Sequence, residues 1–318
     1  QHPQHEATAW LSGQLAASCL KTGEYDKAMA AAEKALALDP EDLETAHNGL
    51  KAAEASKNAA AIRQWAIQAS ELARKAAARP KGAEESDEEH KQRVDYAKQL
   101  DAYTEYSLYA AALQMTDLSA RLSLFAALDE RAAADSPYLS QAYPHYFLAL
   151  TQAGDMGRAA ALARKAFEAN AATEEILAVA GDYHLREGKD MDRVLAYSAR
   201  LVELAGSRPK PEGVSDSDWA KRKRQFLGLG HWLSGAAYSS QNKFEDADKE
   251  LRVALPLLEG NDEAKAGALF HLGVANYKLG RIVDAVKFTE QCAAIKGPYQ
   301  AMAARNLKAI RSEYRITR

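Results

Sequence analysis

Asp182, His184 and Glu187 stand within little more than one turn of one helix, where two carboxylates and an imidazole could make a small polar cluster. His2 and His5 bring two further imidazoles together in the polar lead QHPQHEAT, where no third ligand stands beside them to complete a site. Lys221, Arg222, Lys223 and Arg224 could attract an anion, yet four consecutive residues on a helix spread around its circumference, so a solvated face is the expectation. The remaining constellations that carry chemistry do not occur. There is no HExxH, no paired CxxC, no GxSxG, no GxxxxGK[ST] and no GxGxxG, and the glycines of FLGLGHWLSG have packing spacings within a helical hairpin. The eight histidines form no recognisable ligand set. The expectation is a non-enzymatic chain with no catalytic residues, metal or cofactor.

Composition narrows the partners. A formal net charge of −3 offers no general attraction to polyphosphate, so nucleic acid is not expected as a ligand. No window approaches the ~20 apolar residues of a spanning helix, which excludes membrane insertion as an expectation. Alanine, leucine, glutamate and lysine dominate, prolines fall mostly at segment ends, and no bounded period-two alternation appears, so the chain should be all-helical.

The elements that would position any site repeat. The stretch from Ala9 to Pro40, AWLSGQLAASCLKTGEYDKAMAAAEKALALDP, has Gly23 at a turn, Ala16 seven residues before it, Ala28 five after, Ala35 twelve after and Pro40 at the end. Close-crossing helices need small residues at the contact, and a turn leaving a helix needs a left-handed position that glycine fills without steric cost. Lys57, Met115, Gly154, Gly188, Asn242 and Gly280 are equivalents of Gly23. Small or apolar residues recur at the matching offsets, except at Arg193 and Arg200, where one extra residue in the turn GKDMD would bring in Val194 and Leu201 instead. Leu272, Gly273, Tyr277, Gly280 and Ala285 come nearest to a complete pattern.

On these residues the chain resembles the tetratricopeptide repeat family, whose unit is a helix–turn–helix of about 34 residues that buries its apolar face only by stacking on copies of itself. The resemblance implies an all-α, right-handed superhelical solenoid of antiparallel hairpins, about seven of them over 9–296, in a bacterial protein. A flexible lead is expected at 1–8, irregularity around 80–135, a loop insertion at 207–218, and a capping helix with a tail at 297–318. Ser86 followed by Glu89 predicts a capping box at the start of a long helix. Cys19 and Cys292 fall at small buried positions of distant repeats, so two inert thiols without a mutual disulfide are expected. His184 falls at a position that packs between helices, which favours a structural role. Tyr96, Tyr103, Tyr106 and Tyr109, at helical spacing, and Tyr138, Tyr143 and Tyr146 beyond them, are expected mainly in the core.

In the family, the first helices of successive hairpins line a concave groove. Carried over by offset, that geometry implies a partner-binding surface made of Trp10, Lys51, Tyr109, Gln152, Asp182, Arg186, Trp232, Phe270, Tyr277 and Lys278, although several of these could instead close the superhelix on itself. Gly13 and Ala17 stand where a carboxylate clamp would place lysine and asparagine, which argues against that subtype. The implied function is a protein-interaction or assembly scaffold that binds a peptide or partner helix, as a monomer or weak dimer. The alternative is a ligand-sensing or accessory domain of a larger regulator or enzyme, and a third possibility is a small-molecule pocket among the tyrosines. The start at Gln1 with a polar lead suggests a periplasmic or secreted location after signal removal, with the cytoplasm as the alternative.

Overall fold

Alanine-rich segments with few β-branched residues lose little side-chain freedom in a helix, and short polar residues at their starts supply caps. The computed structural model describes residues 3–133 and 135–316, and every regular element among them is an α-helix. Asp42, Asn58, Ser86, Asp117, Ser136, Thr173, Ser215 and Asn261 each cap a helix by accepting from a backbone N–H of its first turn. At Ser86 the bond is reciprocal, since Glu89 accepts from the Ser86 N–H at 2.8 Å and completes the capping box.

The described chain divides into two compact units, Gln1–Asp155 and Met156–Arg318. The first unit contains α1 (Pro3–Thr22), α2 (Tyr25–Leu38), α3 (Leu43–Ser56), α4 (Ala59–Ala78), α5 (Asp87–Gln114), α6 (Leu118–Arg131) and α7 (Pro137–Gln152). The second contains α8 (Met156–Glu168), α9 (Glu174–Glu187), α10 (Met191–Ser207), α11 (Asp216–Ser240), α12 (Phe244–Leu257), α13 (Asp262–Lys278), α14 (Ile282–Ala294) and α15 (Gln300–Glu313). Successive helices pack as hairpins. The first helices also pack on one another, α1 on α3, α3 on α5 and α5 on α7 in one unit, α9 on α11 and α11 on α13 in the other.

The repeat pattern accounts for the core. Gly23, Lys57, Gly154, Gly188, Asn242 and Gly280 all adopt left-handed backbone, with φ of 80°, 56°, 72°, 65°, 60° and 73°. Ala16, Ala28, Ala35, Leu50, Ile62 and Ala69 are buried in the first unit, as are Ala159, Ala166, Ala247, Ala254, Ala285 and Cys292 in the second. Val194 and Leu201 are buried while Arg193 and Arg200 turn outward to Asp190 and Glu203, so the extra residue in GKDMD does shift the register by one. Met115 departs from the pattern. It leaves α5 in extended backbone, φ −70°, and Ala120 after it is only partly buried.

Three expectations need correction. Residues 3–8 belong to α1 instead of forming a flexible lead, because the helix starts at Pro3, where a missing N–H costs nothing; His2 and the His5 side chain lie outside the described residues. The excess length between repeats goes into long helices as well as loops, α5 having 28 residues and α11 having 25. The tyrosines also divide: Tyr143 and Tyr146 are buried, whereas Tyr96 and Tyr106 are exposed because α5 buries Ala97, Leu100, Leu108, Ala111 and Ala112 instead.

Both long helices use basic residues at the carbonyl ends of their neighbours, where the helix dipole is negative. Arg93 donates to the carbonyls of Ala76 and Arg79 at the end of α4. Lys223 donates to Gly206 O at 2.9 Å at the end of α10, Arg224 to Pro256 O at the end of α12, and Arg222 pairs with Glu175. The basic run thus caps and pairs in several directions, consistent with a solvated face.

Candidate functional site

Small residues on α11 and α13 let α11 approach α12 and α13 closely, and the space left over lies on the side of the first helices. Gly235 has Leu251 where a Cβ would go, 2.4 Å away, and Gly267 similarly receives the indole edge of Trp232 at 2.8 Å. A cavity of about 620 Å³ opens beside Trp232. Val179, Asp182 and Arg186 of α9, Leu229 and Trp232 of α11, and Glu263 and His271 of α13 surround it, and Pro298, Tyr299 and Met302 close it from the C-terminal segment.

Its polar groups form a rim across α9 and α13. Arg186 Nε donates to Asp182 at 2.7 Å and Arg186 Nη2 donates to Glu263 at 2.9 Å, so one guanidinium bridges two carboxylates. Burial raises the Asp182 carboxyl above its usual range against the opposing pull of Arg186. At the inner end, His271 Nδ1 lies 3.2 Å from Ser239 Oγ, and burial pushes its imidazole down to about 4, which keeps it neutral. Phe270 packs its ring 5.2 Å from that of Tyr299, whose phenol burial holds above its ordinary range. The site therefore offers an apolar wall, a neutral imidazole and a rim of fixed charges.

Of the residues expected in a groove, Asp182, Arg186 and Trp232 line this cavity together, and Phe270 supports it through Tyr299. Tyr277 and Lys278 line a smaller cavity of about 240 Å³ with α15, where the Tyr277 hydroxyl donates to Glu313 at 2.8 Å. In the first unit, Trp10 and Lys51 are exposed on α1 and α3, Tyr109 packs against Tyr138, and Gln152 is exposed at the end of α7. The group of Asp182, His184 and Glu187 is not a cluster: Asp182 turns to Arg186, while His184 lies 6.2 Å from the Tyr197 ring of α10. Cys19 and Cys292 are both buried free thiols, and burial pushes Cys292 up to about 11. Among the described residues no group of three or more metal-ligating side chains comes together, and no helix is long and apolar enough to cross a membrane.

Glu263, His271 and Tyr299 were not among the groove residues read from the sequence. Glu263 lies in the first turn of its helix, away from the offsets that define a repeat. Tyr299 follows Gly297-Pro298, a signal for a helix start but not for closure of a cavity.

Residues 12–42 match the tetratricopeptide repeat model. Repeats of this type generally mediate protein–protein interaction and scaffolding. No curated protein matches the chain. Among solved structures it is similar to the crystal structure of the P58(IPK) TPR domain, at 13% identity over 96% of this chain and 98% of that one, with a TM-score of 0.28.

Proposed function

We propose that this chain is a non-enzymatic protein-interaction module and that its second unit receives a peptide or helix of a partner in the cavity of α9, α11, α13 and α15. The observation that carries this is the juxtaposition of Trp232, Asp182 and Arg186 around one cavity of about 620 Å³. An apolar side chain entering beside Trp232 would leave water, which contributes ~25 cal/mol per Å² buried, and the Asp182, Arg186 and Glu263 rim would set the register of the flanking backbone. Nucleic acid is disfavoured by the carboxylates at that rim.

Displayed random peptides selected on this chain test the proposal, with Ala178→Trp as the comparison because Ala178 lines the cavity and a larger side chain there occupies it. Peptides retained by the parent and lost by Ala178→Trp, at unchanged helicity, are the expected result. Peptides that bind both equally, or no enrichment at all, would overturn it. Trp232→Ala is the poorer probe because Trp232 is itself buried.

A second proposal follows from the cavity size alone, since small-molecule sites span about 300–1,000 Å³. On that proposal the chain is a ligand-sensing accessory domain. A compound that raises the parent's melting temperature but not that of Ala178→Trp would favour it over peptide recognition.

A further inference from the structure

The first unit carries a second feature, separate from that cavity. His47 of α3, Tyr96, Tyr103, Tyr106 and Tyr109 of α5, and Tyr138 of α7 form a continuous row of rings across three first helices. His47 meets Tyr103 at 5.1 Å between centroids, Tyr103 meets Tyr106 at 6.0 Å, Tyr106 meets Tyr138 at 5.6 Å and Tyr138 meets Tyr109 at 6.2 Å. Core packing does not explain the row, because Tyr106 at its centre is 46% exposed.

Three observations narrow what would cover it. The first is ring orientation. Neighbouring tyrosines are inclined by 42°, 59° and 34°, so the row is a series of clefts and not the flat platform that stacks sugars or bases. The second is hydrogen bonding. Among the described residues the hydroxyls of Tyr106, Tyr109 and Tyr138 have no hydrogen-bond partner, which leaves donors for a ligand rich in free carbonyls. The third is charge. Glu54 accepts from the Tyr103 hydroxyl at 2.7 Å and Glu44 and Asp42 bear on Tyr96, while Lys51 bears on His47 and Lys57 lines one cavity with Glu54, Tyr103 and Tyr106. The surroundings are therefore weakly acidic.

A polyproline II helix has no internal hydrogen bonds and so presents its carbonyls. Its stiffness lowers the entropy lost on binding. We infer that the tyrosine row of α3, α5 and α7 is a docking surface for a proline-rich segment of a partner that carries basic residues. Prolines seat in the clefts flanking Tyr106, the free phenol hydroxyls donate to the segment's carbonyls, and its lysines or arginines face Glu54 and the Asp42–Glu44 end.

A fluorescein-labelled peptide of four Pro-Pro-Lys triplets, titrated into the full chain and followed by fluorescence anisotropy, tests this. A Gly-Gly-Lys peptide of equal length and charge serves as the control for simple electrostatic attraction. The expected result is saturable binding, at least about tenfold tighter for the proline peptide, and weakened about tenfold by Tyr106→Ala with unchanged circular dichroism. Tyr106→Phe keeps the ring and should lose only part of the affinity. Equal binding of both peptides, indifference to Tyr106→Ala, or no binding up to millimolar peptide would each overturn the proposal. Binding of cellohexaose or oligo(dT) by the row with no binding of the proline peptide would overturn it in favour of a sugar or base platform.

Discussion

Trp65 and Trp232 each rest against a glycine, one in each unit, and their surroundings differ. Trp65 of α4 packs onto Gly49 of α3 within a single hairpin, so close that an added Cβ would meet the ring at 2.2 Å, and it is 1% exposed. Trp232 of α11 packs onto Gly267 of α13, between consecutive hairpins, and is 7% exposed with a cavity beside it. The glycine accommodates the indole in both cases, but only the contact between hairpins leaves space on the side of the first helices. In the first unit that side is taken up instead by tyrosines standing outward. One helical plan thus leaves a cavity beside the tryptophan in one unit, and a fully packed tryptophan with an outward aromatic row in the other.

The comparison can be broken most directly by truncation. Trp65→Ala empties a fully packed site and should cost about 3–5 kcal/mol, whereas Trp232→Ala enlarges a space that already exists and should cost less, roughly 1–3 kcal/mol. Urea denaturation of both variants measures the difference; equal losses would mean that the cavity contributes nothing to how Trp232 is held.

A smaller effect comes from the imidazole in the second unit. Burial holds His271 at about 4 in the folded chain, while an unfolded histidine titrates near 6.5. The depressed value means that the unfolded chain gains a proton that the folded chain cannot accept. Stability is therefore intact above about pH 6.5 and is lost as pH falls toward 4, by roughly 1–2 kcal/mol between pH 7 and 5. His271→Asn should flatten that part of the stability profile. An unchanged slope would show that His271 is not the group responsible.

The smallest expected effect sharpens the distinction between holding the fold and forming a rim. Arg186 and Glu263 are both largely exposed, so Arg186→Ala should change the unfolding free energy by no more than about 0.5 kcal/mol. The same variant should reduce the affinity of any peptide selected on the cavity. A large loss of stability would instead make the bridge a structural tie between α9 and α13.

Much of the hairpin plan was legible in the chain. A left-handed turn position and a small residue seven before or five after it are local requirements, and they located Gly23, Gly154, Gly188 and Gly280 as well as the less obvious Lys57 and Asn242. They also located the one-residue slip at Arg193, because a buried arginine would have been left without water or a partner. The pattern failed at Met115, where extended backbone replaces the left-handed turn, and at residues 3–8, where a polar composition did not prevent helix. Candidate site residues were legible only in part. Offsets from the turns identified Asp182, Arg186 and Trp232, since these face inward from the first helices, but could not supply Glu263 or Tyr299.

The sequence by itself determined the helical class, every turn position but that at Met115, and most of the small residues at helix crossings, because each depends on backbone conformation and on neighbours within about 34 residues. Tertiary structure alone decided which distant side chains met. Arg186 and Glu263 are separated by 77 residues, and Tyr103 and Glu54 by 49. Such pairs depend on how one helix rotates and closes against another, a choice made by the packing of all their side chains together and by no single spacing along the chain.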